Sequence, residues 1–280
     1  MMSFADTSDR SLEHWSEAGR QEMDAFYALA RRDYELLAKR LDWRRLLDGR
    51  RTLLDVACGS GKFPEALLLY AGLPAEPELD YALLDPSGFS VAEAKGALAP
   101  PFRPGAEHEV TLQALAPEAG PYDVVWAVHA LYALPVAELP AGVERFGAAI
   151  APGGFGFVAH AARASHYLRF YEDFLDDFRG GEGTPYTSSE EIIAAFTEAG
   201  AADRLQIVRI DYHGEAPLSE RATVEGYLQR CAFDDSISLE EMEAGERLGP
   251  YLAACRDEDT GRWRFGQHVD LVLIDAPAIE

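Results

Sequence analysis

Cysteine is scarce: the 280 residues hold three, Cys58, Cys231 and Cys255. An odd set with no C-x-x-C pair builds neither a disulfide framework nor a zinc site. Long apolar runs are missing too. No stretch approaches the roughly 18 apolar residues read as a membrane-spanning helix, and the opening MMSFADTSDRSLEHW lacks the apolar core of a secretory signal. The cytoplasm is the expected compartment, with no membrane partner. Basic residues are the third shortage, because 25 Lys and Arg face 48 Asp and Glu for a formal net charge of −23. Such a surface repels a phosphate backbone, so no nucleic-acid partner is expected. The same charge speaks first to solubility and only weakly to a cationic substrate. Neither an internal repeat nor a low-complexity tract is present, and no His, Asp and Glu cluster has metal-ligand spacing, so no metal is expected.

What the chain has is apolar content, 48% hydrophobic and 11% aromatic, enough to bury a sheet. Residues 11–47 read as helical, with Phe26, Leu29, Tyr34, Leu37 and Leu41 at helical spacing. Strands are expected at RRTLLDVA, LDYALLD, EVTLQAL, YDVVWAVHAL and APGGFGFVAHA, with helices at PEALLLYAGL, SVAEAKGAL and VAELPAGVERFGAAI. Continuous apolar strands alternating with helices indicate an α/β fold, a Rossmann-like doubly wound, mostly parallel sheet. Helices follow at SHYLRFYEDFLDDF and at TSSEEIIAAFTEAG, where Ser188 and Glu191 form a capping box. RLQIVRIDY and HVDLVLID supply two more strands around a helical insertion at about 215–260, making seven.

The strongest chemical signal is LLDVACGSGKF, residues 53–63. Gly59 and Gly61 permit a tight turn and close approach of backbone to a ligand at the carboxyl end of the sheet. Nicotinamide and flavin domains use such turns as well, but D-x-A-C-G-S-G lacks the third glycine of G-x-G-x-x-G. Asp55 closes the first strand, where a carboxylate favours the cationic end of a cofactor. Asp85 closes the second, where it can accept both hydroxyls of a ribose or, alternatively, cap the helix in DPSGFS together with Ser87. Cys58 reads as a small packing residue.

With the YDVVWAVHAL strand and the APGGFGFV turn, these features resemble class I S-adenosylmethionine-dependent methyltransferases from about Thr52 to Val158. Within that superfamily the chain is similar to the histamine N-methyltransferase type, through DPSGFSVAEAK, VHALYAL, PYTSSEEI, GYLQRCAF and the ending FGQHVDLVLIDA. The resemblance implies S-adenosyl-L-methionine as cofactor and a small-molecule acceptor. It implies a cofactor site at Ala57, Gly59 and Gly61, with Asp85 on the ribose and Pro86 beside it. Ser90 stands where the family has a cofactor-contacting amide. Val128 falls beside the adenine or methionine portion, and the EVTLQAL strand brings Gln113 and Ala114 near the adenine. On the acceptor side His129 replaces a glutamine, Gln267 an asparagine, Phe170 a tryptophan and Tyr227 a phenylalanine. The family's N-terminal acceptor-binding glutamate has Asp33 and Glu35 as candidates. Residues 1–50 are expected to form a helical cap over the acceptor site of a methyltransferase domain spanning 51–280.

Methyl transfer is an in-line displacement that needs no protein nucleophile, only a well-held acceptor. Aromatic faces attract sulfonium and ammonium cations, and Phe26, Tyr27, Tyr34, Tyr132, Phe170 and Tyr227 are candidate walls, although aromatic stripes also serve as core. His129 and Gln267 are the candidate catalytic residues. His129 sits at an apolar strand end, with a pKa suited to orienting the acceptor or taking its proton. His160 is the second histidine to consider, and a hydrogen-bonded structural role competes for both. The expected activity is N-methylation of a small amine or nitrogen heterocycle in specialised metabolism. The alternative is a small-molecule O-methyltransferase with His129 as base; an NAD-dependent oxidoreductase and a non-catalytic binding protein stand further off. The chain is expected to be a monomer or weak homodimer.

Overall fold

The computed structural model describes residues 7–14 and 20–279. The helical reading of 11–47 resolves into α1 (Thr7–His14), α2 (Arg20–Arg40) and α3 (Trp43–Leu47), with residues 15–19 of that expectation outside the described residues. Next come β1 (Thr52–Val56), α4 (Lys62–Tyr70), β2 (Leu79–Leu84), α5 (Gly88–Ala97), β3 (Phe102–His108), β4 (Tyr122–Val128), α6 (Leu139–Ala148) and β5 (Ile150–Ala161). The C-terminal half adds α7 (His166–Arg179), α8 (Ser189–Phe196), β6 (Leu205–Pro217), α9 (Arg221–Ala232), α10 (Leu239–Ala244), α11 (Leu248–Ala254), β7 (Arg256–Asp257) and β8 (Arg262–Ile274).

Because side chains leave a strand on alternating faces, an apolar run buries two cores at once. Leu53 of β1, Leu83 of β2 and Trp126 of β4 enter one core, under α3, α4 and α5. Their neighbours Leu54, Leu84 and Val125 enter the other, under α6 and α8. Fully burying one such aliphatic side chain stabilises the fold by about 1.5–3 kcal/mol. The strand order is β3-β2-β1-β4-β5-β8-β6, seven strands, with the two-residue β7 pairing on β8. β1 to β5 run parallel, whereas β8 is antiparallel to both β5 and β6. Strand order reverses between β1 and β4, and a crevice opens beyond their carboxyl ends, where sheets of this kind bind ligands.

Two expectations need correction. EVTLQAL is not a strand: Leu112–Ala114 is one turn of 3-10 helix, and the third strand lies earlier, at FRPGAEH. That strand is the sheet edge and is solvent-exposed over most of its length, so it has neither the apolar run nor the alternation that marks a strand. The last two strands are also longer than RLQIVRIDY and HVDLVLID. Their register runs unbroken from Leu205↔Ile274 to Pro217↔Arg262, while β5 pairs β8 only from Val269 to Ile274. The outer half is therefore a two-stranded arm reaching past the sheet. It carries Trp263 and Phe265 into a third core built with Phe170 and Phe174 of α7 and with α9 to α11.

Candidate active site

The loop after β1 owes its shape to three positive backbone angles, φ +50° at Ala57, +52° at Gly59 and +71° at Gly61. The two glycines do different work. A Cβ at Gly59 would meet nothing within 4 Å, leaving open space beside the backbone. At Gly61 it would stand 3.0 Å from the Ala94 Cα, so Gly61 lets α4 approach α5 and does not itself line the cavity. The loop is laced to β2: the Cys58 N–H donates to the Leu84 carbonyl at 3.1 Å, and the Gly59 N–H donates to Asp85 Oδ2 at 3.1 Å.

Asp85 also accepts the Ser87 N–H at 2.9 Å, and Ser87 is the residue that caps α5, accepting the Ser90 N–H at 3.3 Å. Burial raises the Asp85 carboxyl, against these two hydrogen bonds. Ser90 is buried behind the cap and does not reach the cavity, whereas Pro86 lines it. Asp55 is buried with Tyr81 donating to its Oδ2 at 2.6 Å, and burial pushes its pKa up to about 7. Burial also pushes the Cys58 thiol up, which suits packing and not nucleophilic work.

One cavity of about 420 Å³ runs from this loop past Asp85, Leu112 and Gln113 to the end of β4 and the middle of α2. Gln113 lines it and donates to Glu138 at 2.7 Å; Ala114 does not line it, because the 3-10 turn points it elsewhere than a strand would. Val128 lines it where β4 ends. His129 then turns the chain with φ +53°, a strained angle for a non-glycine residue that a fixed surrounding must enforce.

His129 is held at both ring nitrogens. Nδ1 lies 2.6 Å from the Tyr132 hydroxyl, and Nε2 contacts Oδ2 of Asp33, off the axis of a regular hydrogen bond. The Tyr132 oxygen accepts the Ala161 N–H at 3.2 Å, and burial raises its phenol. Asp33 is 5% exposed, and its Oδ1 has no hydrogen-bond partner. Of the two acidic candidates on α2, Asp33 thus faces the cavity while Glu35 pairs with Lys39. α2 also touches the glycine loop, where the Tyr27 and Ser60 hydroxyls are 3.0 Å apart.

Phe26, Tyr27, Tyr34, Tyr132, Tyr227 and Gln267 all line the cavity. Gln267 accepts from Ser165 at 2.7 Å and donates to the Tyr227 hydroxyl at 3.2 Å. Phe170 does not line it: it is fully buried in the arm's core, 6.2 Å from Phe174, because its face of α7 turns inward. His160 is buried, with Nε2 2.9 Å from the Thr187 carbonyl and its pKa pushed down to about 3 by burial, which marks a structural histidine. Tyr167 and Tyr212 line the cavity as well, although nothing in the sequence marks them. Tyr167 lies inside the helical stripe that reads as core, and Tyr212 on an edge strand, so neither carries a signal in its neighbours. Among the described residues no group of His, Cys, Asp and Glu could hold a metal ion.

Residues 24–206 match the family described as methyltransferase domain. Solved structures share the fold at low identity. Magnesium protoporphyrin IX methyltransferase from Synechocystis with bound S-adenosylhomocysteine has a TM-score of 0.53 at 12% identity, covering 94% of this chain and 99% of its own. The same protein with bound S-adenosylmethionine gives 0.52 at 11%, over 97% and 99%. A Bacillus halodurans protein assigned to the methyltransferases gives 0.52 at 13%, over 81% and 92%. No curated protein matches the sequence.

Proposed function

The chain belongs to the methyltransferase-domain family, and from that premise we propose that it is an S-adenosylmethionine-dependent methyltransferase acting on a nitrogen of a small amine or nitrogen heterocycle. One observation carries the reading: a single cavity joins the Asp55–Asp85 loop region to an aromatic-walled end containing the buried Asp33 carboxylate. The first end suits an adenosyl ligand. Open space at Gly59 admits it against the backbone, Asp85 is placed to accept ribose hydroxyls, and Leu112 and Gln113 flank the position of a base. Asp55 is placed to meet an ammonium group, which would draw the carboxyl into its ionised form. When bound, S-adenosylmethionine supplies an electrophilic methyl group on a sulfonium.

At the other end α1 and α2 serve as a cap that excludes water, and the chain supplies position and charge. Asp33 binds the acceptor and balances the positive charge that appears on its nitrogen, Gln267 orients the acceptor through its amide, and His129 holds Asp33. The resemblance to the histamine N-methyltransferase type supports a small nitrogen acceptor, with His129 in place of a glutamine shifting the choice of substrate. A hydroxyl acceptor with His129 as base is the alternative, and the Asp33 carboxylate beside its Nε2 is the contact that bears on it. The protein acts as a monomer or weak homodimer in the cytoplasm, in specialised metabolism. A screen of amines, imidazoles and phenols for S-adenosylhomocysteine release tests this. Turnover of amines or imidazoles is expected; turnover confined to phenols overturns the nitrogen acceptor, and no binding of either cofactor form overturns the whole reading.

A further inference from the structure

Six rings close on one another around the acceptor end. Tyr34 lies edge-on to His129 at 6.0 Å, His129 stacks with Tyr132 at 5.9 Å, and Tyr132 meets Tyr167 at 4.6 Å. The circuit continues from Tyr167 to Phe26 at 6.4 Å, from Phe26 to Tyr27 at 5.5 Å, and from Tyr27 back to Tyr34 at 6.2 Å. All six line the same cavity, as does Asp33, the chain neighbour of Tyr34. Such a collar with one carboxylate is the construction that recognises alkylated ammonium ions, because ring faces attract the cation and methyl groups fill the box without needing hydrogen-bond acceptors. His129 forms part of the collar wall with Tyr132 on Nδ1 and the Asp33 carboxylate beside Nε2, so the carboxylate stands at the ring wall itself.

We infer that the acceptor is a tertiary amine, methylated inside the collar to a quaternary ammonium ion; this rests on the methyltransferase reading above. The amine's lone pair forms the new N–C bond and displaces the C–S electron pair onto sulfur. No proton leaves, so no base is required, and the positive charge lost by sulfur reappears on nitrogen between the rings and Asp33.

The test is calorimetric binding to the full chain, with choline as the cationic probe and 3,3-dimethylbutan-1-ol as its uncharged isostere, alongside S-adenosylhomocysteine. Choline is expected to bind at least about tenfold more tightly than the alcohol. Tyr34→Leu and Tyr167→Leu are each expected to weaken choline by about two- to thirtyfold, whereas Tyr34→Phe, which keeps the ring face, preserves it. Retained S-adenosylhomocysteine binding identifies the variants that are folded. Equal binding of choline and the alcohol, with S-adenosylhomocysteine bound normally, overturns the tertiary-amine acceptor and leaves the methyltransferase reading intact. Failure of S-adenosylhomocysteine to bind the unmodified chain overturns both. Loss of choline binding equal in Tyr34→Phe and Tyr34→Leu also overturns the collar, since the ring face would then carry none of the affinity.

Discussion

The two ends of the cavity are built on different principles. The loop end is made largely by backbone: the Ala57–Gly61 turn, the Gly59 N–H on Asp85 and the Ser87 cap all lie within short stretches following β1 and β2. The acceptor end is made by side chains, from α2, the turn after β4, α7, β6, α9 and β8, which only the complete fold brings together. A site made of backbone tolerates little change, because altering a dihedral moves every neighbouring donor. One made of side chains on a packed frame can be re-specified residue by residue while the loop end stays as it is.

Four substitutions or conditions would break or sharpen that contrast. The largest effect is expected from Phe170→Ala, which empties part of the core beneath the acceptor end and should cost about 3–5 kcal/mol in denaturant unfolding. The acceptor KM of the folded fraction should not move; a KM shift without loss of stability would return Phe170 to the cavity wall. Next, Asp85→Ala should weaken S-adenosylhomocysteine by about 100- to 1000-fold, two charged hydrogen bonds being removed, and leave choline binding unchanged. Simultaneous loss of choline would show the ends to be one unit. Asp33→Asn is expected to do the converse, lowering acceptor kcat/KM about ten- to a hundredfold with S-adenosylhomocysteine affinity held in calorimetry.

The smallest effect is one of pH. Because burial raises Asp55 to about 7, ligand-free protein favours the neutral carboxyl below that pH, while an ammonium group at this position needs the carboxylate. S-adenosylhomocysteine affinity should therefore fall by about tenfold between pH 8 and pH 6, and Asp55→Asn should flatten that profile. An equally steep profile in Asp55→Asn would move the titration to another group. For the free protein the sign is opposite: the stability held by neutral Asp55 is present at low pH and is lost as pH rises through about 7.

This contrast also explains what could be read from the residues in order. The D-x-A-C-G-S-G turn and Asp85 at the end of the second strand were legible because a tight strand-to-helix turn needs particular residue types at fixed places along the chain, and the strands carrying them are apolar on both faces. β3 was not legible, because an exposed edge strand with Pro104 and Gly105 carries no periodic pattern. His129 stood out as a polar residue in an apolar run. Its partner was harder, since Asp33 and Glu35 sit two apart on one helix and only docking of α2 shows which turns inward. Phe170, Tyr167 and Tyr227 are aromatic residues on amphipathic helices, and composition cannot tell a ring on the core side from one on the cavity side.

The two contacts made by α2 bear on how ligands come and go. Tyr27 touches Ser60 in the glycine loop and Asp33 touches His129 beyond it, so a single helix seals both compartments. A motion that lifted α2 would therefore uncover both ends of the cavity together, so the two ends share one cover.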